Sequence, residues 1–304
     1  MASQGYHGCD MRIPAFRALG AGPTIVMLHG ISGGSAAFAP QIEHFSSQGF
    51  RAVSWDMPGY GNSAPIEPYT FKGLAESLAT LIDALDPSGD RAPVILLGHS
   101  MGGMVAQELI ARRPGLVRAL ILANTVPAFG HAGGAAQQRY ISERSAPIDA
   151  GLSMQQFAQQ LIPTLVGPQA SVEGVRLATH VMGGVPSAVY RAALDAITNF
   201  DRHRMLGHIR VPTLFIAGTE DKTAPPALMQ AMARQVPGSE YVELGGVGHL
   251  SPLEAPDLFG DTVLSFLARR KSLHAVPVQA ADEPVTEVAA LHSSAEAGKP
   301  PTIH

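Results

Sequence analysis

The feature that most constrains this chain is an abrupt change of pattern at residues 93–104. Pro93-Val94-Ile95-Leu96-Leu97 is a buried-strand run that stops at Gly98-His99-Ser100-Met101-Gly102, and a helical pattern begins through Gly103 and Met104. Strand, tight turn and helix in immediate succession put a serine at the apex. Gly98 lets the chain bend, while Gly102 and Gly103 let the new helix lie close to neighbouring strands. The helix aims its first N–H groups at whatever sits beside Ser100. A hydroxyl on such an apex, next to fixed backbone donors, is half of what acyl transfer requires. The five residues alone also fit a plain glycine-rich turn with a serine cap, because the chain holds 32 glycines. The other segments decide between the two.

A serine hydroxyl needs a base, and the base needs an orienting acid. Thr213-Leu214-Phe215-Ile216-Ala217-Gly218 is a second buried-strand pattern, ending in Thr219-Glu220-Asp221-Lys222. Tyr241-Val242-Glu243-Leu244 alternates like a strand and runs into Gly245-Gly246-Val247-Gly248-His249-Leu250. An acid thus follows one strand and a histidine the next, both at the carboxyl edge of the sheet, where loops converge on the crevice of an open α/β fold. Of the 12 histidines, His249 alone sits in a glycine-rich loop after the last strand. His99 adjoins the serine but faces the other side of the turn, as a packed residue. His29 precedes a glycine in a loop, and His44, His180, His203 and His208 fall in helical or linker patterns that suit surface or core roles. Glu220 and Asp221 both remain candidates for the acid at this point.

A developing oxyanion needs two preset donors about 3 Å away. Met101, directly after the serine, supplies one N–H. Thr24-Ile25-Val26-Met27-Leu28 reads as a buried strand ending in His29-Gly30-Ile31-Ser32-Gly33-Gly34, and the N–H of Ile31 is the expected second donor.

Taken together, these segments resemble the α/β-hydrolase superfamily. Met27-Leu28-His29-Gly30 is similar to its oxyanion-loop motif. Asp56-Met57-Pro58-Gly59-Tyr60-Gly61-Asn62-Ser63 is similar to its D-x-P-G-x-G-x-S loop, and the turn at Ser100, the strand end at 218–221 and the Gly248-His249 loop complete the set. The resemblance spans roughly residues 12–270 and implies a triad of Ser100, Asp221 and His249; the family spacing prefers Asp221 over Glu220. Within the superfamily, residues 98–106 and 122–125 look most like enol-lactone hydrolases, small esterases and cofactor-free haloperoxidase-type members. Ser100 stands where dehalogenases and epoxide hydrolases carry aspartate. Leu250 stands where carbon–carbon bond hydrolases usually carry tryptophan.

The rest of the 304 residues bounds the reading. Hydrophobic residues make up 46%, enough for a sizeable core, and a net charge of −4 makes no case for nucleic acid or acidic membranes. One cysteine, Cys9, excludes an internal disulfide and suits a reducing, cytoplasmic setting. The first dozen residues lack the apolar run of a signal peptide, and no stretch approaches a membrane span. Neither metal-ligand spacing nor a P-loop is present, and the expected chemistry needs no metal or cofactor.

Short apolar runs alternate with helical patterns, predicting an α/β fold: an eight-stranded, mostly parallel sheet with helices on both faces and an inserted helical cap. Strands are expected near 24–28, 51–55, 93–97, 118–123, 213–217 and 240–244, with two early antiparallel strands in the first 20 residues. The roughly 85 residues before the strand near Val211 exceed what a crossover needs, and carry helical stripes at Met154, Phe157 and Leu161 and at Tyr190, Ala193, Leu194 and Ile197. The predicted organisation is a core at 1–125, a helical cap at 126–205, the rest of the core at 206–271 and a disordered tail at 272–304 with no periodicity. Arg269-Arg270-Lys271 would close a helix whose dipole suits cations.

The expectation that follows is a serine hydrolase cleaving a small or medium carboxylic ester or lactone with an apolar portion, through an acyl-enzyme on Ser100. The alternatives are a carbon–carbon bond hydrolase or perhydrolase on the same triad, and a ligand-sensing receptor with slow turnover.

Overall fold

Unbroken Val/Ile/Leu runs fit strands buried on both faces, and the five central strands of the molecule are buried almost throughout. The computed structural model describes residues 12–86, 92–129 and 134–270. Its strands are β1 (Phe16–Leu19), β2 (Thr24–Leu28), β3 (Arg51–Trp55), β4 (Val94–His99), β5 (Val117–Ala123), β6 (Thr213–Gly218) and β7 (Glu240–Leu244). They form one sheet in the order β1-β3-β2-β4-β5-β6-β7, with β1 antiparallel and the rest parallel.

Alternate side chains of each strand feed two cores. Ile25, Met27, Ile95 and Leu97 lie on one face under α1 (Ala39–Ser47) and α10 (Pro256–Ala268), whose Phe45, Phe259 and Phe266 are buried there. Val26, Leu28 and Leu96 lie on the other face, with α2 (Phe71–Leu85), α3 (Met101–Arg112) and α8 (Pro226–Gln235). Fully burying each such side chain contributes about 1.5–3 kcal/mol.

Between β5 and β6 the chain inserts four helices: α4 (Ala135–Asp149), α5 (Met154–Leu165), α6 (Val172–Gly183) and α7 (Ser187–Thr198). Ser153 caps α5, its hydroxyl accepting the Gln156 N–H while the Gln156 side chain accepts the Ser153 N–H. A short α9 (Ser251–Glu254) follows β7.

The strand count corrects the sequence expectation: among the described residues the sheet has seven strands, not eight. Only β1 represents the two early antiparallel strands, and Pro14 interrupts the run before it. Arg269 and Arg270 do follow α10, but each pairs with Glu240 at the start of β7, a more specific partner than the helix dipole. Cys9, Lys271 and the tail expected at 272–304 lie outside the described residues. No helix among them is long and apolar enough to cross a membrane.

Candidate active site

From β2 the chain steps to β3 on one side, and later to β4 on the other. Ligands of open α/β sheets bind at such a reversal, beyond the carboxyl ends of the strands. The loop after β2 carries Gly30 and Ile31, and the turn after β4 carries Ser100.

Ser100 has φ 53° and ψ −120°, a backbone conformation that costs a non-glycine residue about 1–3 kcal/mol. Several contacts hold it there. Its N–H donates to the Ala123 carbonyl (3.0 Å), and its carbonyl accepts from the Thr125 hydroxyl (2.7 Å). Gly102 makes the close approach feasible, since a Cβ there would overlap the Leu28 carbonyl.

The three residues expected to act together do meet. His249 Nε2 lies 2.9 Å from Ser100 Oγ, and His249 Nδ1 lies 2.8 Å from Asp221 Oδ2. A carboxylate only accepts, so Nδ1 carries the ring proton and Nε2 is left to accept from the serine hydroxyl. Asp221 Oδ1 accepts the N–H groups of Thr223 (2.7 Å) and Ala224 (3.0 Å), while Oδ2 also accepts from Asn124 Nδ2 (2.9 Å). Burial pushes this carboxyl's pKa up, but His249 and these donors outweigh it and hold the group below the usual carboxylate range. Glu220 is exposed and turns to the Thr219 hydroxyl. Between the two acids, the geometry favours Asp221.

The loop after β2 is oriented by its carbonyls. Met57 N–H donates to His29 Nε2 (3.0 Å), so His29 Nδ1 carries the proton and donates to the Gly30 carbonyl (2.8 Å). The Gly33 N–H donates to the same carbonyl (2.9 Å), and the Tyr60 hydroxyl donates to the Ile31 carbonyl (2.9 Å). In a trans peptide N–H and C=O point in opposite directions. Tying the Gly30 carbonyl down therefore turns the Ile31 N–H the other way. Neither this N–H nor that of Met101 has an acceptor among the described residues. A Cβ on Gly30 would lie 3.5 Å from Ser100 Oγ, which puts the loop directly against the hydroxyl.

His99 is buried, as expected, but it does not face away from the site: its ring lies 5.3 Å from that of His249 and lines the cavity. Its Nε2 donates to the His249 carbonyl (2.6 Å). Burial pulls the His99 pKa down to about 3 and that of His29 to about 4, so both rings are neutral at pH 7.

Sequence reasoning gave no role in the site to two buried groups that set this geometry. Asn124, itself at φ 47°, bridges Asp221, the Gly248 carbonyl (3.2 Å) and the Ser251 hydroxyl (2.6 Å). Glu254 is buried and accepts three backbone N–H groups at 2.7 Å: Gly167 and Gly248 on Oε2, Leu250 on Oε1. The His249 N–H donates to the Leu165 carbonyl (2.7 Å). The histidine loop is thus fastened to the turn between α5 and α6. An asparagine at a strand's carboxyl end and a glutamate five residues after the histidine were the available signals.

Above Ser100 and His249 a cavity is lined by α4–α7 and the loops. Leu161, Ile162, Leu165, Val181 and Leu253 form apolar walls. Among the described residues no cluster of three or more His, Cys, Asp or Glu could hold a metal ion.

A family model described as the alpha/beta hydrolase family matches residues 25–262. Among solved structures, the chain is similar to a thermophilic esterase from Thermogutta terrifontis, with 26% identity and a TM-score of 0.74, over 86% of this chain and 93% of that one. It is also similar to the enol-lactonase from Burkholderia xenovorans LB400, with 27% identity and a TM-score of 0.72, over 83% of this chain and 95% of that one. A curated relative, the polyketide synthase ThaQ of Burkholderia thailandensis, is 28% identical over 253 residues, which make up 82% of this chain but 12% of the synthase.

Proposed function

The chain belongs to the alpha/beta hydrolase family, and on that premise we propose that it is a serine hydrolase that cleaves a small or medium carboxylic ester or lactone through an acyl-enzyme on Ser100. The observation that carries this reading is the unbroken chain of hydrogen bonds from Asp221 through His249 to Ser100, with the serine strained at its apex. The likeness to an esterase and an enol-lactonase supports the substrate class.

In this reading His249 Nε2 takes the Ser100 proton as Oγ attacks the carbonyl carbon. Asp221 keeps the ring in the required tautomer and stabilises the imidazolium. The N–H groups of Ile31 and Met101 receive the oxyanion in an arrangement already formed, so little reorganisation is needed as charge develops. His249 protonates the leaving oxygen, then activates a water against the acyl-enzyme, and Ser100 regains its proton. A lactone uses the same steps with its leaving group still tethered. Residues 126–205 act as a cap that shields the acyl-enzyme and shapes an apolar pocket, and the single cysteine fits a cytoplasmic setting.

The test is a hydrolysis screen of wild type against Ser100→Ala. The panel holds p-nitrophenyl esters of graded length, lactones, aryl amides and a vinylogous diketone for carbon–carbon cleavage, with intact-protein mass spectrometry alongside. Ser100-dependent ester or lactone turnover with a serine-borne acyl adduct supports the proposal. Turnover that survives Ser100→Ala, or cleavage of the diketone alone, refutes it.

A further inference from the structure

The cavity above Ser100 contains one feature that ester cleavage does not use. Arg144 on α4 lines it, and no aspartate or glutamate does. Resting on the acyl-transfer reading above, we propose that the substrate carries a carboxylate remote from its scissile carbonyl, and that Arg144 and the Tyr190 hydroxyl form the subsite that receives it.

Three observations converge on this. First, Arg144 has no carboxylate partner among the described residues. Arg191 pairs with Asp149, and Arg112 and Arg202 with Glu108, whereas Arg144 is half-buried and lines the cavity without such a pair. Arg144 instead sits over the Tyr140 ring, its guanidinium carbon 3.7 Å from the centroid. A cation–π contact uses none of the N–H donors, so the guanidinium still has its fork for a planar, two-oxygen acceptor.

Second, Tyr190 on α7 lines the same cavity, is fully buried, and its hydroxyl has no hydrogen-bond partner among the described residues. A buried hydroxyl left unpaired is costly. Its ring is fixed edge-on to Phe157, with centroids 5.7 Å apart, so it does not turn readily to find a partner. A carboxylate held by Arg144 supplies the missing acceptor.

Third, the charge balance selects the ligand. One guanidinium in an otherwise apolar or neutral cavity neutralises one negative charge. A monoanionic carboxylate leaves nothing uncompensated, whereas a phosphate dianion would leave a second charge in a low-dielectric site. The cavity is therefore bifunctional: the serine end recognises the carbonyl, and the arginine end recognises an acid.

Aryl monoesters of dicarboxylic acids of four to seven carbons, each paired with the neutral alkanoyl ester of equal length, test this through the ratio of kcat/KM, acid over neutral. A second series carries the carboxylate on the leaving phenol. The expected wild-type ratio exceeds about tenfold at one preferred length in one series. Arg144→Gln should lower that ratio by about 10- to 100-fold, the range of a charge-assisted hydrogen bond. Arg144→Lys should restore part of it, and Tyr190→Phe should lower it several-fold. Ratios near or below one in both series, or ratios that Arg144→Gln leaves unchanged, overturn the subsite while Ser100-dependent turnover of neutral esters keeps the hydrolase reading. Glutarate binding, followed by calorimetry on wild type and Arg144→Gln, separates the two ideas. Loss of binding in the variant, in a protein that turns over no ester, supports the subsite and refutes the hydrolase. Equal or absent binding in both proteins, with no acid preference, refutes the subsite.

Discussion

Replacing Glu254 by glutamine tests how the histidine loop is held. The side chain keeps its shape but offers one acceptor oxygen where the carboxylate offers two. If that oxygen stays with the Gly167 and Gly248 N–H groups, the new amide NH2 faces the Leu250 N–H, and one buried donor loses its acceptor. That loss costs about 1–3 kcal/mol. The two surviving bonds change from charge-assisted to neutral, roughly halving their strength. The expected destabilisation is about 2–5 kcal/mol, a fall in Tm on the order of 5–15 °C. Removing a buried charge works in the opposite direction, but three convergent donors at 2.7 Å outweigh it. Because Gly248 and Leu250 flank His249, a displacement of the ring near 1 Å should lower kcat/KM on the order of 10²-fold. Thermal unfolding and ester kinetics on the same preparation provide both readouts. A Tm that rises or stays within about 1 °C, with kcat/KM within about twofold, would refute the argument and leave the His249 N–H to Leu165 bond as the sufficient anchor.

Other expectations concern the triad and its neighbours. Asp221→Asn should lower kcat by about 10⁴-fold, as loss of the tautomer-setting acid does elsewhere, while Glu220→Gln should change stability by no more than about 0.5 kcal/mol and leave turnover near wild type; reversed outcomes would assign the acid to Glu220. Ser100→Gly should remove activity yet raise stability above that of Ser100→Ala by about 1 kcal/mol, because glycine adopts φ 53° without strain; equal unfolding midpoints would argue against a strained apex. His29 and His99 have folded pKa values depressed to about 4 and about 3 from 6.5. Their contribution is complete above pH 6.5 and is lost as pH falls towards the folded values, because the unfolded chain binds the protons first. Between pH 6.5 and 5 the loss is about 2 kcal/mol per histidine, measurable by urea unfolding across that range; a flat profile would refute it.

Much of this architecture was legible because it is local. Residues 24–28, 51–55 and 240–244 coincide with the strand bounds, and the Ser100 turn, Asp221 and His249 stand directly after strands whose runs are unmistakable. What escaped reading depends on contacts between residues far apart in sequence. Asn124 reaches Asp221 across 97 positions, and Glu254 reaches Gly167 across 87; no periodicity encodes such meetings. Helix α4 was equally illegible. Its polar Gln, Arg, Ser and Glu residues and an internal Pro147 give no apolar stripe, so Arg144 emerged only once the cavity was assembled. Within the first 20 residues only 12–20 are described, and there the one strand, Phe16–Leu19, is a short, half-buried run that differs little from the loop before it.

The fastening of the histidine loop to the turn between α5 and α6 also bears on how this scaffold can diverge. A side chain at Gly167 would overlap the Gly246 carbonyl, and one at Gly248 would press on the Gly167 nitrogen at 2.6 Å. The loop thus keeps this shape only with both glycines and the glutamate in place. Helix α4 carries no such debt to the triad. A substitution on its cavity face leaves the base in place, so Arg144 can be exchanged for a different recognition group. One part of the insertion is tied to the base and another is not, so substrate recognition can be altered while the catalytic apparatus stays as it was.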